Sequence, residues 1–164
     1  MKLIKQKEKQ KIQVHRTTEG TIFEMVFAVL AVVVWALVIL MVCRAPDVIA
    51  THFDAHGHPN GYGSPWGLLV PSIIMTVAGV GLLVCAYYPH LINMPVEIKT
   101  TRQFELAIRM TRITALIMLL VTLAIPMTLL AFTTPQPWPV LGTLALMLVV
   151  IVYYCVLIHR AKTS

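Results

Sequence analysis

Residues 25–43 read MVFAVLAVVVWALVILMVC, 19 consecutive residues without a charged side chain. About 20 apolar residues in a helix cross the roughly 30 Å of hydrocarbon in a bilayer. Three further stretches have the same character, so we expect membrane spans at about residues 25–43, 67–88, 113–132 and 140–158. Apolar residues make up 58% of the chain and charged residues only 12%, which excludes an ordinary soluble domain. The sequence therefore predicts an all-α, integral membrane four-helix bundle.

The basic residues are distributed unevenly around these spans. Of the 13 Lys and Arg, 12 lie in the N-terminal arm of residues 1–24, the connector after the second span and the tail of residues 159–164. The exception is Arg44, which follows the first span. Short loops rich in Lys and Arg are retained on the cytoplasmic side. The charge pattern predicts that both termini are cytoplasmic and that the loop between the first two spans lies outside.

A net charge of +6 would also suit a nucleic-acid-binding protein. However, the basic residues flank spans and are accompanied by no aromatic platform or recognition motif. Membrane orientation and attraction to anionic lipid explain them, so we expect the lipid bilayer and no nucleic acid as a partner. The first 19 residues are either a disordered basic arm or a helix lying on the inner leaflet.

Two local patterns refine the predicted helices. From Thr100 onward the connector has a helical pattern, and Glu105 with Arg109 forms a favourable i,i+4 pair. The third span should therefore begin as a helix ahead of the membrane. In the second span, Val77-Ala-Gly-Val-Gly81 places small residues where backbones can approach closely. The spacing of Gly79 and Gly81 favours packing within one molecule over a dimer seam.

Candidate metal ligands are concentrated in the outer loop, which reads THFDAHGHPNG over residues 51–61. Alternate positions hold a His or an Asp, so in an extended segment these side chains would share one face. The four residues are His52, Asp54, His56 and His58. Such a face could bind zinc or a similar ion.

The same loop also contains residues that break regular structure, namely Gly57, Pro59, Gly61 and Gly63. They argue against a strand in which the alternation would be realised. Three interpretations remain open: structural or incidental histidines, transient binding of a metal or proton, and a catalytic metal. No other cofactor is expected.

The sequence contains no recognisable catalytic motif. Ser64 and Ser72 have no base at motif spacing, and neither GxSxG nor HExxH occurs. We therefore expect a protein that is not an enzyme.

The stretch from Ala45 to Ser64, which runs into an apolar span near Trp66, resembles the domain of unknown function 1648. The pattern of that family, which this stretch resembles, is Pro-x-x-Ile-Pro-x-His-Phe followed, after a short gap, by Gly-x-Pro-x-Gly-(Tyr/Trp)-Gly. Ala50 stands where the family usually has Pro, and Pro65 stands where Lys often follows. The matching positions are Pro46, Ile49, His52, Phe53, Gly57, Pro59, Gly61, Tyr62 and Gly63.

The resemblance implies an SdpI-like protein of the bacterial plasma (inner) membrane. Such proteins give immunity to a secreted toxin and take part in signalling by sequestering a repressor at the membrane. By this analogy the outer loop would bind an extracytoplasmic peptide or toxin, and the inner surface would bind a cytoplasmic repressor. In the loop, His52 would hydrogen-bond or bind a cation, Phe53 and Tyr62 would pack on the helix ends, and the glycines and Pro59 would shape the turn. The alternative is a metal-binding membrane protein or metal-dependent membrane enzyme that uses the His/Asp cluster.

Overall fold

The computed structural model describes residues 15–54, 56, 58–88, 98, 100–130 and 136–161. Within this part of the chain, four helices and one hairpin follow one another. They are α1 (Thr18–Arg44), β1 (Ile49–Phe53), β2 (Pro59–Gly63), a 3-10 helix (Pro65–Leu68) continuous with α2 (Leu69–Cys85), α3 (Thr101–Leu130) and α4 (Trp138–Arg160). All four long helices have the length and composition needed to cross a membrane, so the predicted helical membrane fold is confirmed.

Several predicted features lie outside the described residues. They are the arm over residues 1–14, the connector over 89–97 and 99, the connector over 131–135, the tail over 162–164, and the single positions Ala55 and Gly57.

Polar caps explain where two of the helices begin. Thr17 precedes α1, and its hydroxyl oxygen accepts a hydrogen bond from the Gly20 N–H at 3.1 Å. Ahead of α3, the Thr100 N–H donates to Gln103 Oε1 at 3.1 Å, and the Gln103 N–H donates to Thr100 Oγ1 at 3.3 Å. This reciprocal box satisfies donors that have no partner inside the helix. Helix α3 then runs unbroken into the apolar segment, which confirms that the third span begins as a helix ahead of it.

Helix α3 is the centre of the bundle. It packs against α1, α2 and α4, whereas α1 and α2 contact each other little. The core between α1 and α3 consists of Phe27, Val34, Val38, Ala115 and Leu119. Most large side chains of α4 are exposed, as expected for a helix that rests on α3 and turns its other face to lipid.

Gly79 allows α2 to approach α3. A Cβ atom at this position would lie 3.2 Å from the Ala115 carbonyl oxygen and 3.0 Å from Phe27 Cε2. At Gly81 a Cβ atom would meet nothing within 4 Å. The predicted close packing inside one molecule is therefore confirmed for Gly79, whereas Gly81 faces open space.

Hydrogen bonds between helices show which helix ends lie together. Gln103 Nε2, at the start of α3, donates to the Ile158 carbonyl at the end of α4 over 2.8 Å. Arg109 of α3 binds Glu19 in the first turn of α1. The start of α1 and the end of α4 therefore lie at one end of the bundle, and the hairpin between α1 and α2 lies at the other.

Candidate binding hairpin at one end of the bundle

Strands β1 and β2 form an irregular antiparallel pair. Cα partners in the register are Ile49 with Gly63, Ala50 with Tyr62, His52 with Gly61 and Phe53 with Pro59. Thr51 is therefore an extra residue on β1 and Asn60 an extra residue on β2. Bulges of this kind bend a strand and increase its twist.

The prediction that Pro59, Gly61 and Gly63 break regular structure is wrong, because all three lie in β2. Pro59 is the first residue of its strand, where a missing N–H is tolerated. Gly61 leaves room for the side chain of His52: a Cβ atom there would lie 3.0 Å from His52 Cβ and 3.2 Å from His52 Nδ1. The two motif residues His52 and Gly61 therefore form a packed pair across the hairpin.

Asp54 organises the turn that joins the strands. Its Oδ1 accepts hydrogen bonds from the N–H groups of His56 and His58, each at 2.8 Å. Its own N–H donates to the His58 carbonyl at 2.9 Å, and its Oδ2 lies 3.4 Å from His58 Nδ1. Asp and Asn commonly stabilise turns in this way. The alternating pattern of the sequence predicts Asp54 only as a metal ligand and does not indicate this role in the turn.

The four candidate metal ligands do not share one face, because they do not all lie in one extended segment. Strand β1 ends at Phe53, so His52 lies in a strand while Asp54, His56 and His58 lie in or beside the turn. The rings of His56 and His58 are edge to face, with centroids 6.4 Å apart. No group of three or more His, Cys, Asp or Glu suited to a metal ion occurs among the residues that the structure describes. Zinc binding stays a prediction, and elemental analysis of the purified protein is its test.

The hairpin rests on the bundle through Ile49, which is buried, and β1 contacts α3. Phe53 is half-buried, and its packing on the helix ends stays a prediction. For Tyr62 that prediction is wrong, because 67% of the residue is exposed. A Cβ atom at Gly61 or Gly63 on either side would meet His52 or Thr51 of β1.

An exposed apolar surface surrounds the base of the hairpin. Val48, Tyr62 and Trp66 are all more than half exposed. Beside them, a cavity of about 210 Å³ is lined by Val42, Cys43, Ala45, Asp47, Ser64, Pro65 and Trp66. Ser64 begins the 3-10 helix, and its Oγ accepts from the Trp66 N–H at 3.4 Å. The sequence pattern does not predict Asp47 or Ser64 in the site, because neither belongs to the alternating His and Asp positions.

We expect Asp54→Ala to loosen the turn without unfolding the bundle. The substitution removes the acceptor of two backbone N–H groups, and hydrogen bonds to a charged group contribute about 1.5–3 kcal/mol. Amide exchange at His56 and His58 should therefore accelerate about tenfold or more. Asp54→Asn retains the accepting oxygen and should stay close to the native rates, as should Asp47→Ala. Equal rates of amide exchange in the Asp54→Ala and native proteins would show that the carboxylate does not hold the turn.

Comparison with known proteins places the hairpin inside a recognised domain. Residues 29–76 match the model of the family described as Domain of unknown function (DUF1648), which confirms the resemblance seen in the loop. The match runs from within α1, through the hairpin, into α2. A protein of Archaeoglobus fulgidus, described as an uncharacterized protein, is 30% identical over 69 residues, or 37% of this chain. The chain covers 38% of that relative's length. No solved structure matches the chain.

Proposed function

Since residues 29–76 match the domain of unknown function 1648, we propose that the hairpin is the recognition element of a non-enzymatic, SdpI-like membrane protein. Its ligand would be an extracytoplasmic peptide or toxin. Binding would give immunity or start a signal across the membrane. The domain match spans the hairpin and parts of the two helices that hold it, which supports this assignment.

The observation that carries this proposal is a preformed hairpin with exposed recognition groups. Asp54 stiffens the turn, and Gly61 seats the exposed His52 against the second strand. Tyr62 and Trp66 present aromatic surface, a residue type enriched in binding interfaces. A sheet of two strands also has edges that an extended peptide can join by backbone hydrogen bonds. These features favour a peptide ligand.

The charge pattern supports an orientation with the hairpin outside a bacterial inner membrane and both termini in the cytoplasm. The described basic residues at the end opposite the hairpin are Arg16, Arg102, Arg109, Arg112 and Arg160. Positive charge at the cytoplasmic ends of spans is the general rule. This basic end would be the surface available to a cytoplasmic repressor.

We expect His52→Ala to lower protection against the cognate toxin at least tenfold while leaving membrane insertion intact. The imidazole is the exposed polar side chain held in place by the packed pair with Gly61. The measurement is survival of toxin-sensitive bacteria that express the protein and are challenged with a candidate secreted toxin peptide. His56→Ala is the matched control, because it removes an exposed imidazole outside the matched motif. Unchanged protection in the His52→Ala variant would remove this side chain from the mechanism, and no protection by the native protein would refute immunity.

A further inference from the structure

Arg112 is a buried cation at the end of the bundle opposite the hairpin. Only 4% of the residue is exposed. Its Cζ lies 5.7 Å from the centroid of the Tyr87 ring, so cation–π attraction holds one face of the guanidinium. A Cβ atom at Gly20 would lie 2.6 Å from Arg112 Nη2, so the glycine provides the space for this group. Gly20 of α1 and Tyr87 just after α2 thus enclose the side chain.

The neighbouring charges are paired with one another. Arg16 Nη2 lies 2.6 Å from Glu24 Oε2, and Glu24 also accepts a hydrogen bond from the Tyr87 hydroxyl. Arg109 binds Glu19 through two parallel hydrogen bonds of 2.8 and 3.0 Å. Among the described residues, Arg112 Nη2 is buried and has no hydrogen-bond partner. Buried polar groups rarely lack a partner, so an acceptor beyond the described residues is expected here.

Arg112 also borders a cavity of about 250 Å³ at this end of the bundle. It is lined by Thr17, Glu19, Glu105, Ile108, Arg109 and Arg112. The start of α1 forms part of its wall, and first-turn N–H groups of a helix favour an anion. The guanidinium and this helix start therefore attract negative charge to the same space.

The two carboxylates of the cavity restrict which anion fits. The Glu19 charge is compensated by the paired hydrogen bonds from Arg109. Glu105 also lines the cavity, and its charge would repel a doubly charged phosphate more strongly than a singly charged phosphodiester. The volume is below the roughly 300–1,000 Å³ of sites for drug-sized ligands, so a headgroup fits rather than a whole lipid.

We propose that this cavity binds the phosphodiester of an anionic phospholipid headgroup. Arg112 lies one residue before the predicted third span, at the level where headgroups meet the ends of membrane helices. The acyl chains would remain in the bilayer while the phosphodiester accepts hydrogen bonds from Arg112. This site lies at the opposite end from the hairpin and is independent of the proposed function.

The test is a lipid titration of the full-length protein in detergent, followed by native mass spectrometry. Phosphatidylglycerol is the probe, and diacylglycerol, which lacks the phosphodiester, is its control. Arg112→Gln should weaken phosphatidylglycerol binding at least tenfold. Arg102→Gln removes the same charge from an exposed position on the same helix and should change binding less than twofold. Arg112→Lys, which keeps the charge but not the planar donor pair, should give an intermediate loss.

Equal losses in the Arg102→Gln and Arg112→Gln variants would show a diffuse charge effect and overturn the site. If inorganic phosphate displaces phosphatidylglycerol at similar concentration, the ligand is free phosphate and the lipid assignment is wrong. If the Arg112→Gln variant does not fold, the comparison of the two lipids on the native protein still tests the proposal. Retention of diacylglycerol as strong as that of phosphatidylglycerol would refute the proposal.

Discussion

Replacing Gly79 with Leu should destabilise the bundle by roughly 3 kcal/mol, at the upper end of the usual cost of overpacking. A Cβ atom alone would lie 3.2 Å from the backbone oxygen of Ala115 and 3.0 Å from the ring of Phe27. The backbone of α3 cannot move away without disturbing its contacts with α1 and α4. The measurement is the free energy of unfolding in mixed detergent, together with the yield of folded protein on size-exclusion chromatography.

Gly81→Leu is the matched control, two residues along the same helix. No atom lies within 4 Å of a Cβ built at this position. Because Leu has a higher helix propensity than Gly by somewhat less than about 1 kcal/mol, this variant should be as stable as the native protein or slightly more stable. Similar losses in both variants would contradict the packing of α2 on α3 through Gly79.

The four helices could be predicted because the length of an apolar run is a local property of the chain. Their arrangement could not be predicted in the same way. Lipid and protein core are both apolar, so the residues of α1 that face α3 do not differ in type from those that face outward. The central place of α3 follows from packing details such as Gly79 against Ala115, which involve distant parts of the sequence.

The start of α3 shows what local polar residues can reveal. The spacing of Thr100 and Gln103 matches a capping box, and the helix begins beside it. In the outer loop, the local residues are compatible with more than one structure. Asp54 fits both a metal site and a turn, and in the structure its carboxylate binds the N–H groups of His56 and His58. This turn ends the strand and with it the predicted common face.

The burial of Arg112 could not be predicted from any local pattern in the sequence. In the sequence it is one of several basic residues in a connector, and its charge is explained by membrane orientation. Its burial depends on Gly20 in α1 and Tyr87 after α2, which approach it only in the folded bundle. Among the described residues Nη2 has no acceptor, and the carboxylates of Glu24 and Glu19 bind Arg16 and Arg109 instead. A candidate ligand site can therefore arise from tertiary contacts alone.

Replacing the amide of Gln103 should destabilise the bundle about as much as replacing Gly79, because this amide joins α4 to α3 at the centre of the bundle. Gln103 is fully buried, and its Nε2 donates to the Ile158 carbonyl at 2.8 Å. In Gln103→Glu an oxygen would face that carbonyl in place of the donor. Leaving an uncompensated charge buried costs roughly 3 kcal/mol or more. We expect a loss of this size in the free energy of unfolding near neutral pH.

The loss should depend on pH with a definite sign. Burial beside a carbonyl oxygen disfavours the ionised form, so the introduced carboxyl group would hold its proton more tightly in the folded than in the unfolded state. The penalty is therefore largest at high pH, and it disappears as the pH falls towards about 4.3, where a free glutamic acid is also protonated. A protonated carboxyl can again donate to Ile158. Gln103→Met removes the hydrogen bonds without adding charge and should cost about 1–2 kcal/mol at every pH. If the two variants lose the same stability with no pH dependence, the amide does not face the carbonyl and α4 is held by apolar packing alone.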